Sequence, residues 1–291
     1  MGKTKKNIFD VLNYFVIYTV ALLCIYPFVY VLSASLSSAA DLLNGEVLLW
    51  PKRIIWNSYA KILADQDIWM AYANSIFYTV AGTFVSILMT ISGAYPLSKK
   101  RLIGRKFFTF MFVFTMWFNA GLIPFYLNMR DLNLLDSRMG IIIAFACTTF
   151  YIIILRTYFQ GIPDSMEEAA KIDGANDFKI LTTVYIPLSG PALSTIGLFY
   201  AVGRWNSYLW PMILLRDYSK MPLQVLLKRL IVEMNMSAEY NDVITNSLTG
   251  MVSKETIIYA TIIISVVPML ALYPFIQRYF EKGIMIGALK G

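Results

Sequence analysis

Six stretches free of Asp, Glu, Lys and Arg constrain this chain more than anything else in it. They run over 11–40, 68–98, 107–129, 139–155, 180–203 and 256–277, and no other charge-free stretch reaches seventeen residues. A helix rises about 1.5 Å per residue and a bilayer's hydrocarbon core is about 30 Å thick, so about 17–25 apolar residues cross it. Buried helices of soluble bundles rarely run this long without a charge. Composition agrees: 58% of the 291 residues are apolar and 15% charged, where soluble domains carry roughly 45–50% and 25%. The chain therefore reads as an all-α integral membrane protein. It is expected to form one transmembrane domain over 1–291, with six helices at 12–35, 71–95, 107–128, 139–157, 191–215 and 256–277. The fifth is trimmed because Pro187, Gly190 and Pro191 break the start of its gap. That trimming places Arg204 at membrane depth. Lys3, Lys5 and Lys6 before the first stretch resemble the start of a signal peptide, but the apolar run exceeds the 7–15 residues of such a leader, which favours an uncleaved span.

Six spans put both termini on one side, and the basic residues select it. With the N-terminus cytoplasmic, the inner segments carry 14 Lys/Arg in 67 residues and the outer ones 10 in 76. Lys99, Lys100, Arg101, Arg105 and Lys106 contribute most to that bias. Both termini are thus expected in the cytoplasm of a bacterial cell, with the chain multi-pass in its membrane. The net charge of +7 falls on the face where a membrane protein needs it, and no nucleic-acid partner is required to explain it.

The chain has no histidine, which removes His-based acid–base catalysis, His-ligated metals and the Ser-His-Asp triad. Cys24 and Cys147 lie in apolar runs without zinc-ligand spacing. Gly2-Lys3-Thr4 lacks the upstream glycine and the strand of a phosphate-binding loop. No catalytic residue, metal or cofactor is expected. A self-contained secondary transporter remains the competing transporter class, but such proteins carry functional charges near the midplane, and only Arg204 qualifies.

One connection, 159–190, is built like a docking element. Pro163 with Asp164 or Ser165 starts a helix, Glu167 and Glu168 occupy its first turn, and Gly174 ends it. A second helix begins at Asn176 or Asp177, with Phe178, Leu181 and Tyr185 at helical spacing. Small Ala169, Ala170 and Ala175 allow close approach of another surface. An ordinary amphipathic surface loop shares much of this pattern.

The run Glu168-Ala-Ala-Lys-Ile-Asp-Gly174, with nine residues between it and Val184 and then Ile186-Pro187, resembles the EAA motif of ABC importer permeases. Asn74-Ser75, Ala94-Tyr-Pro-Leu-Ser98, Gly121-Leu-Ile-Pro-Phe-Tyr126 and Leu134-Leu-Asp-Ser137 resemble the carbohydrate-uptake branch, relatives of the second maltose permease subunit. The tail Lys282–Gly291 is similar to permeases for polysaccharide-derived oligosaccharides such as alginate and rhamnogalacturonan. Pro96 stands where that branch usually has alanine.

The resemblance implies a type I ABC importer permease fold and a sugar or oligosaccharide as cargo; a permease for another solute is the alternative. It implies a second permease subunit, giving a heterodimer, two ATPase subunits that bind ATP and Mg, and an extracytoplasmic solute-binding protein. Coupling to the ATPase is carried over to Glu168, Ala169, Ala170, Asp173, Gly174 and Pro187, and a tail contact to Lys290 and Gly291. For the sugar pathway, aromatic faces beside hydrogen-bonding groups nominate Arg204, Trp205, Asn206, Tyr208 and Trp210, with Asn119 and Tyr126 as further candidates. An ionisable residue at membrane depth is a functional candidate by default. Trp and Tyr also form interfacial belts, and Arg can snorkel. Helical spacing puts Trp205 with Tyr208 on one face and Asn206 with Trp210 on another. Leu223–Ile231 reads as an amphipathic helix in the longest outer segment.

Overall fold

A computed structural model describes residues 8–118, 120–238 and 255–271. Asn119, the end of the sixth expected span, and Lys290 and Gly291 lie outside the described residues. The ordered helices are α1 (Ile8–Ser35), α2 (Ala39–Leu43), α3 (Asn57–Ala64), α4 (Gln66–Ser98), α5 (Arg105–Trp117), α6 (Leu122–Asp131), α7 (Arg138–Ala144), α8 (Thr149–Gln160), α9 (Asp164–Ile172), α10 (Asp177–Leu188), α11 (Gly190–Trp205), α12 (Leu209–Leu214), α13 (Leu223–Ala238) and α14 (Glu255–Ala271). No strand occurs among the described residues.

The described residues divide into two compact units, one of residues 8–69, 227–238 and 255–268, the other of 70–118, 120–226 and 269–271. In the first, α1 is apolar all round and leaves Phe9, Leu22 and Phe28 exposed. Its end is different. Ser33, Ser35, Ser37 and Ser38 are buried there. The Ser33 hydroxyl donates to the Leu49 carbonyl at 2.5 Å, and Ser35 meets the Tyr59 hydroxyl at 2.8 Å. Ser58 on α3 bonds Thr256 on α14 at 3.0 Å. Small hydroxyl residues let segments close up while satisfying each other's polar groups, the usual glue between helices in lipid.

In the second unit, α4 runs past two apolar clusters. One gathers Ile91, Ala94 and Tyr95 of α4 with Ile152, Leu155 and Phe159 of α8, Ile180 and Tyr185 of α10, and Ile196 and Tyr200 of α11. The other packs Tyr78 of α4 with Met129 of α6, Ile141 and Ile142 of α7, and Leu214 of α12. Gly197 approaches Ile87 so closely that a Cβ there meets Ile87 Cδ1 at 3.0 Å.

Three of the continuous spans read from the sequence are interrupted. Residues 107–128 are α5 and α6, separated around Gly121, whose φ is +86°. Residues 139–157 are α7 and α8, bent by 53°. Residues 191–215 are α11 and α12, broken at Asn206–Tyr208. Charge-free length measures how much chain lipid tolerates; it does not report where backbone bonds stop. Non-helical backbone at membrane depth is tolerated where protein groups satisfy it, and the α7–α8 break illustrates how.

Candidate functional site

The helix that carries the EAA-like run is α9. Pro163 precedes it, Asp164 and Glu167 lie in its first turn, and Gly174 closes it with φ +75°. The Asn176 side chain caps the next helix by accepting from Lys179 N at 2.9 Å. Both starts and the glycine stop agree with the sequence pattern. Of the second helix's spaced apolar residues, Tyr185 is buried and Leu181 partly so, but Phe178 is 74% exposed. Glu168, Ala169, Asp173, Gly174 and Pro187 are all exposed and Ala170 half-buried; Glu168 and Ala169 lie on α9, Asp173 and Gly174 follow its end, and Pro187 lies on α10.

The neighbouring glutamate behaves oppositely. Glu167 is 8% exposed and holds three donors. Lys99 Nζ lies 2.5 Å from Oε2, the Tyr185 hydroxyl donates to the same oxygen at 2.9 Å, and Lys171 Nζ reaches Oε1 at 2.6 Å. Lys99 also sits over the Tyr95 and Tyr185 rings, 4.3 and 3.7 Å from their centroids. Burial alone pushes the Glu167 carboxyl up, but the bonds from Lys171, Lys99 and Tyr185 outweigh it and hold its pKa at about 2. Burial lowers Lys99 against the pull of Glu167, and burial with the Glu167 bond raises Tyr185. Breaking such a buried pair by removing one partner costs about 3–5 kcal/mol. Around this centre, Lys100 pairs with Asp164 at 3.1 Å and Arg101 with Asp177. The sequence pattern singled out Glu168 and passed over Glu167. A usable signal was present: Lys171 stands four residues after Glu167, the favourable order for a helical ion pair.

Arg204, the ion expected at membrane depth, sits on the last turn of α11. Its Nη1 donates to the Ile141 carbonyl at 2.6 Å and its Nη2 to the Ile142 carbonyl at 3.0 Å. Nη2 also reaches the Ser86 hydroxyl at 3.2 Å. Ile141 and Ile142 lie in the last turn of α7, where carbonyls have no intrahelical partner. A cation at a helix C-terminus is favoured by the macrodipole. Arg204 therefore satisfies the helix break. Gly82 makes room for it, since a Cβ there meets Arg204 Nε at 3.0 Å. No carboxylate pairs with Arg204 among the described residues.

Arg204 borders a cavity of about 300 Å³ together with Tyr151, Phe199, Tyr200, Ser207 and Trp210. Tyr151 and Phe199 stack with centroids 6.0 Å apart and planes 2° from parallel. Of the residues nominated for a sugar path, Arg204 and Trp210 line this space. Trp205 instead is buried against Tyr72 at 5.8 Å. Asn206 and Tyr208 are exposed at the break, and Tyr126 packs half-buried against the α4–α7 cluster. The helical-face grouping of 205–210 fails because α11 ends at Trp205.

Asn74 and Ser75 hold the segment before α13. Asn74 Nδ2 donates to the Ser219 and Met221 carbonyls at 2.7 and 3.2 Å, and Ser75 Oγ accepts from Leu223 N at 2.8 Å. Leu223–Ile231 is helical, as its pattern suggests, within the longer α13.

Residues 68–286 match the family described as binding-protein-dependent transport system inner membrane component. The polygalacturonan/rhamnogalacturonan transport system permease protein YtcP of Bacillus subtilis (strain 168) is 40% identical over 288 residues, covering 99% of this chain and 100% of that protein. Protein LplC of the same strain is 35% identical over 292 residues, covering 100% and 98%. Among solved structures, a bacterial ABC transporter involved in the import of the acidic polysaccharide alginate has a chain that is 48% identical, with a TM-score of 0.88 over 96% of this chain and 99% of that one.

Proposed function

The chain belongs to the family of binding-protein-dependent transport system inner membrane components, and from that membership we infer a role for each part described above. It is a membrane permease subunit of an ABC importer that moves a sugar or oligosaccharide. It works with a second permease subunit, two ATPase subunits and an extracytoplasmic binding protein. ATP and Mg belong to the ATPase subunits, and this chain supplies the pathway. Its six spans place both termini in the cytoplasm, and the loop 159–190 lies on the same side.

The exposed residues on and just after α9 carry the coupling reading: Glu168 and Ala169 on the helix, and Asp173 and Gly174 at its end, are open to another protein. Those residues seat on the ATPase. ATP binding then favours one arrangement of the permease over the other, because it holds one global state more tightly.

The solute carries carboxylates. This reading rests on the half-buried Arg204 beside an aromatic-walled cavity, without an acidic partner among the described residues, and on relatives that include a transporter for an acidic polysaccharide.

The test is uptake into vesicles holding the complete complex. Oligogalacturonide should enter only with ATP and the ATPase subunits, and a neutral oligosaccharide of equal length should enter poorly. Uptake driven by an ion gradient alone overturns the importer reading; equal uptake of the neutral sugar overturns the acidic one.

A further inference from the structure

Two hydrogen bonds and a close glycine contact join α4 to α11, and Glu167 ties α9 to the end of α4 and to α10, the helix that leads into α11. At the level of the cavity, Arg204 of α11 bonds Ser86 of α4. Further along, Thr90 and Tyr200 exchange a hydrogen bond of 2.8 Å, and Gly197 packs on Ile87. At the far end, Lys99 follows directly on the last residue of α4, and Tyr185 lies on α10, whose axis turns by 82° into α11. The Glu167 carboxylate contacts both side chains.

Resting on the coupling reading above, we propose that Glu167, not the exposed Glu168, is the positioning residue that makes α9, α4 and α11 move as one body when the ATPase subunits close. The Oε2 atom is shared between Lys99, next to the end of α4, and Tyr185 of α10, so a shift of α9 away from either side chain uncovers a charge in a buried place. The Lys171 bond to Oε1 holds the carboxylate in that orientation from its own helix. Arg101, 3.9 Å from Oε1, adds a weaker contact from the chain just beyond α4.

The experiment measures binding-protein-stimulated ATP hydrolysis and oligogalacturonide uptake in the same vesicles and compares sugar moved per ATP. For Glu167→Gln and Lys99→Met, that ratio should fall about tenfold, within the usual span of coupling between sites, while ATP hydrolysis continues. The double variant should be no worse than either single one, because both remove one interaction. Lys99→Arg, which keeps a buried cation, should retain the ratio. A merely structural role lowers the amount of assembled complex without changing the ratio per complex. An unchanged ratio in Glu167→Gln and Lys99→Met overturns the proposal. Ala169→Trp on the exposed face separates the two levels of argument: it should abolish ATPase docking. Docking that survives this change sinks the coupling reading itself, whereas lost docking with an unchanged Glu167→Gln ratio sinks only the latch.

Discussion

Glu167 and Arg204 are both ions withdrawn from water, yet their surroundings are chemically opposite. Glu167 collects side-chain donors from two other segments and one from its own helix, two of them cations. Arg204 collects two backbone carbonyls and a hydroxyl, none charged. A buried carboxylate satisfied by long side chains fastens elements that are separate in sequence, and its charge is neutralised on the spot. A half-buried guanidinium satisfied by carbonyls closes a gap in the backbone and keeps its net charge. The first arrangement suits transmission of movement. The second allows a helix to break within a membrane and leaves a positive potential beside a cavity.

The sharpest way to break this comparison is to empty each centre. Glu167→Ala leaves Lys99 buried without its carboxylate, at an expected cost of about 3–5 kcal/mol. The melting temperature of the purified complex should fall accordingly, and Lys99→Met introduced on top should recover part of the loss. If Glu167→Ala melts like wild type, the centre is not a buried pair. Arg204→Met strands the Ile141 and Ile142 carbonyls, each worth about 1–3 kcal/mol when left unpaired. Arg204→Lys supplies a point charge without the planar fork and should fall between, satisfying one carbonyl rather than two. Melting curves of the three proteins should therefore order as wild type, Lys, Met.

Sequence made the class of molecule plain because lipid acts on long averages. A charge-free run of 17 or more residues is visible without any structure, and the positions of Pro163, Gly174 and Asn176 mark the ends of α9 and α10 through local backbone chemistry. What stayed hidden depends on pairs distant in the chain. Lys99 and Glu167 are 68 residues apart, and no local pattern says which of two adjacent glutamates turns inward. Arg204 was visible as an ion at membrane depth, but its partners are carbonyls of a helix end that the apolar run 139–155 conceals. The same concealment misled the grouping of Trp205 with Tyr208, since it assumed a helix where α11 stops.

Smaller effects sharpen the contrast between fastening and docking. Gly174 has φ +75° and open space around its Cβ position, so Gly174→Val meets no neighbour and suffers only the left-handed backbone, about 1–2 kcal/mol. Its melting temperature should drop less than that of Glu167→Ala, while coupling of ATP hydrolysis to uptake should suffer more than stability does. Gly174→Asn, which tolerates that conformation better, should recover most of the loss. Intact coupling in the valine variant removes Gly174 from the docking face.

The smallest expected effect is a pH dependence that stays absent over the working range. With its pKa held at about 2 against 4.5 for a free glutamate, Glu167 is a depressed acid. Its contribution is fully present above about 4.5 and is lost as pH falls toward 2. The melting difference between wild type and Glu167→Gln should then be constant from pH 5 to 8 and shrink below 4.5, where the wild-type carboxyl takes up a proton and comes to resemble the amide. Arg204 keeps its charge over the same range, so the difference between wild type and Arg204→Met should not change at either end. A Glu167→Gln difference that already narrows between pH 7 and 5 means that the three donors do not hold the carboxylate charged, and the distinction between a neutralised anion and an uncompensated cation collapses with it.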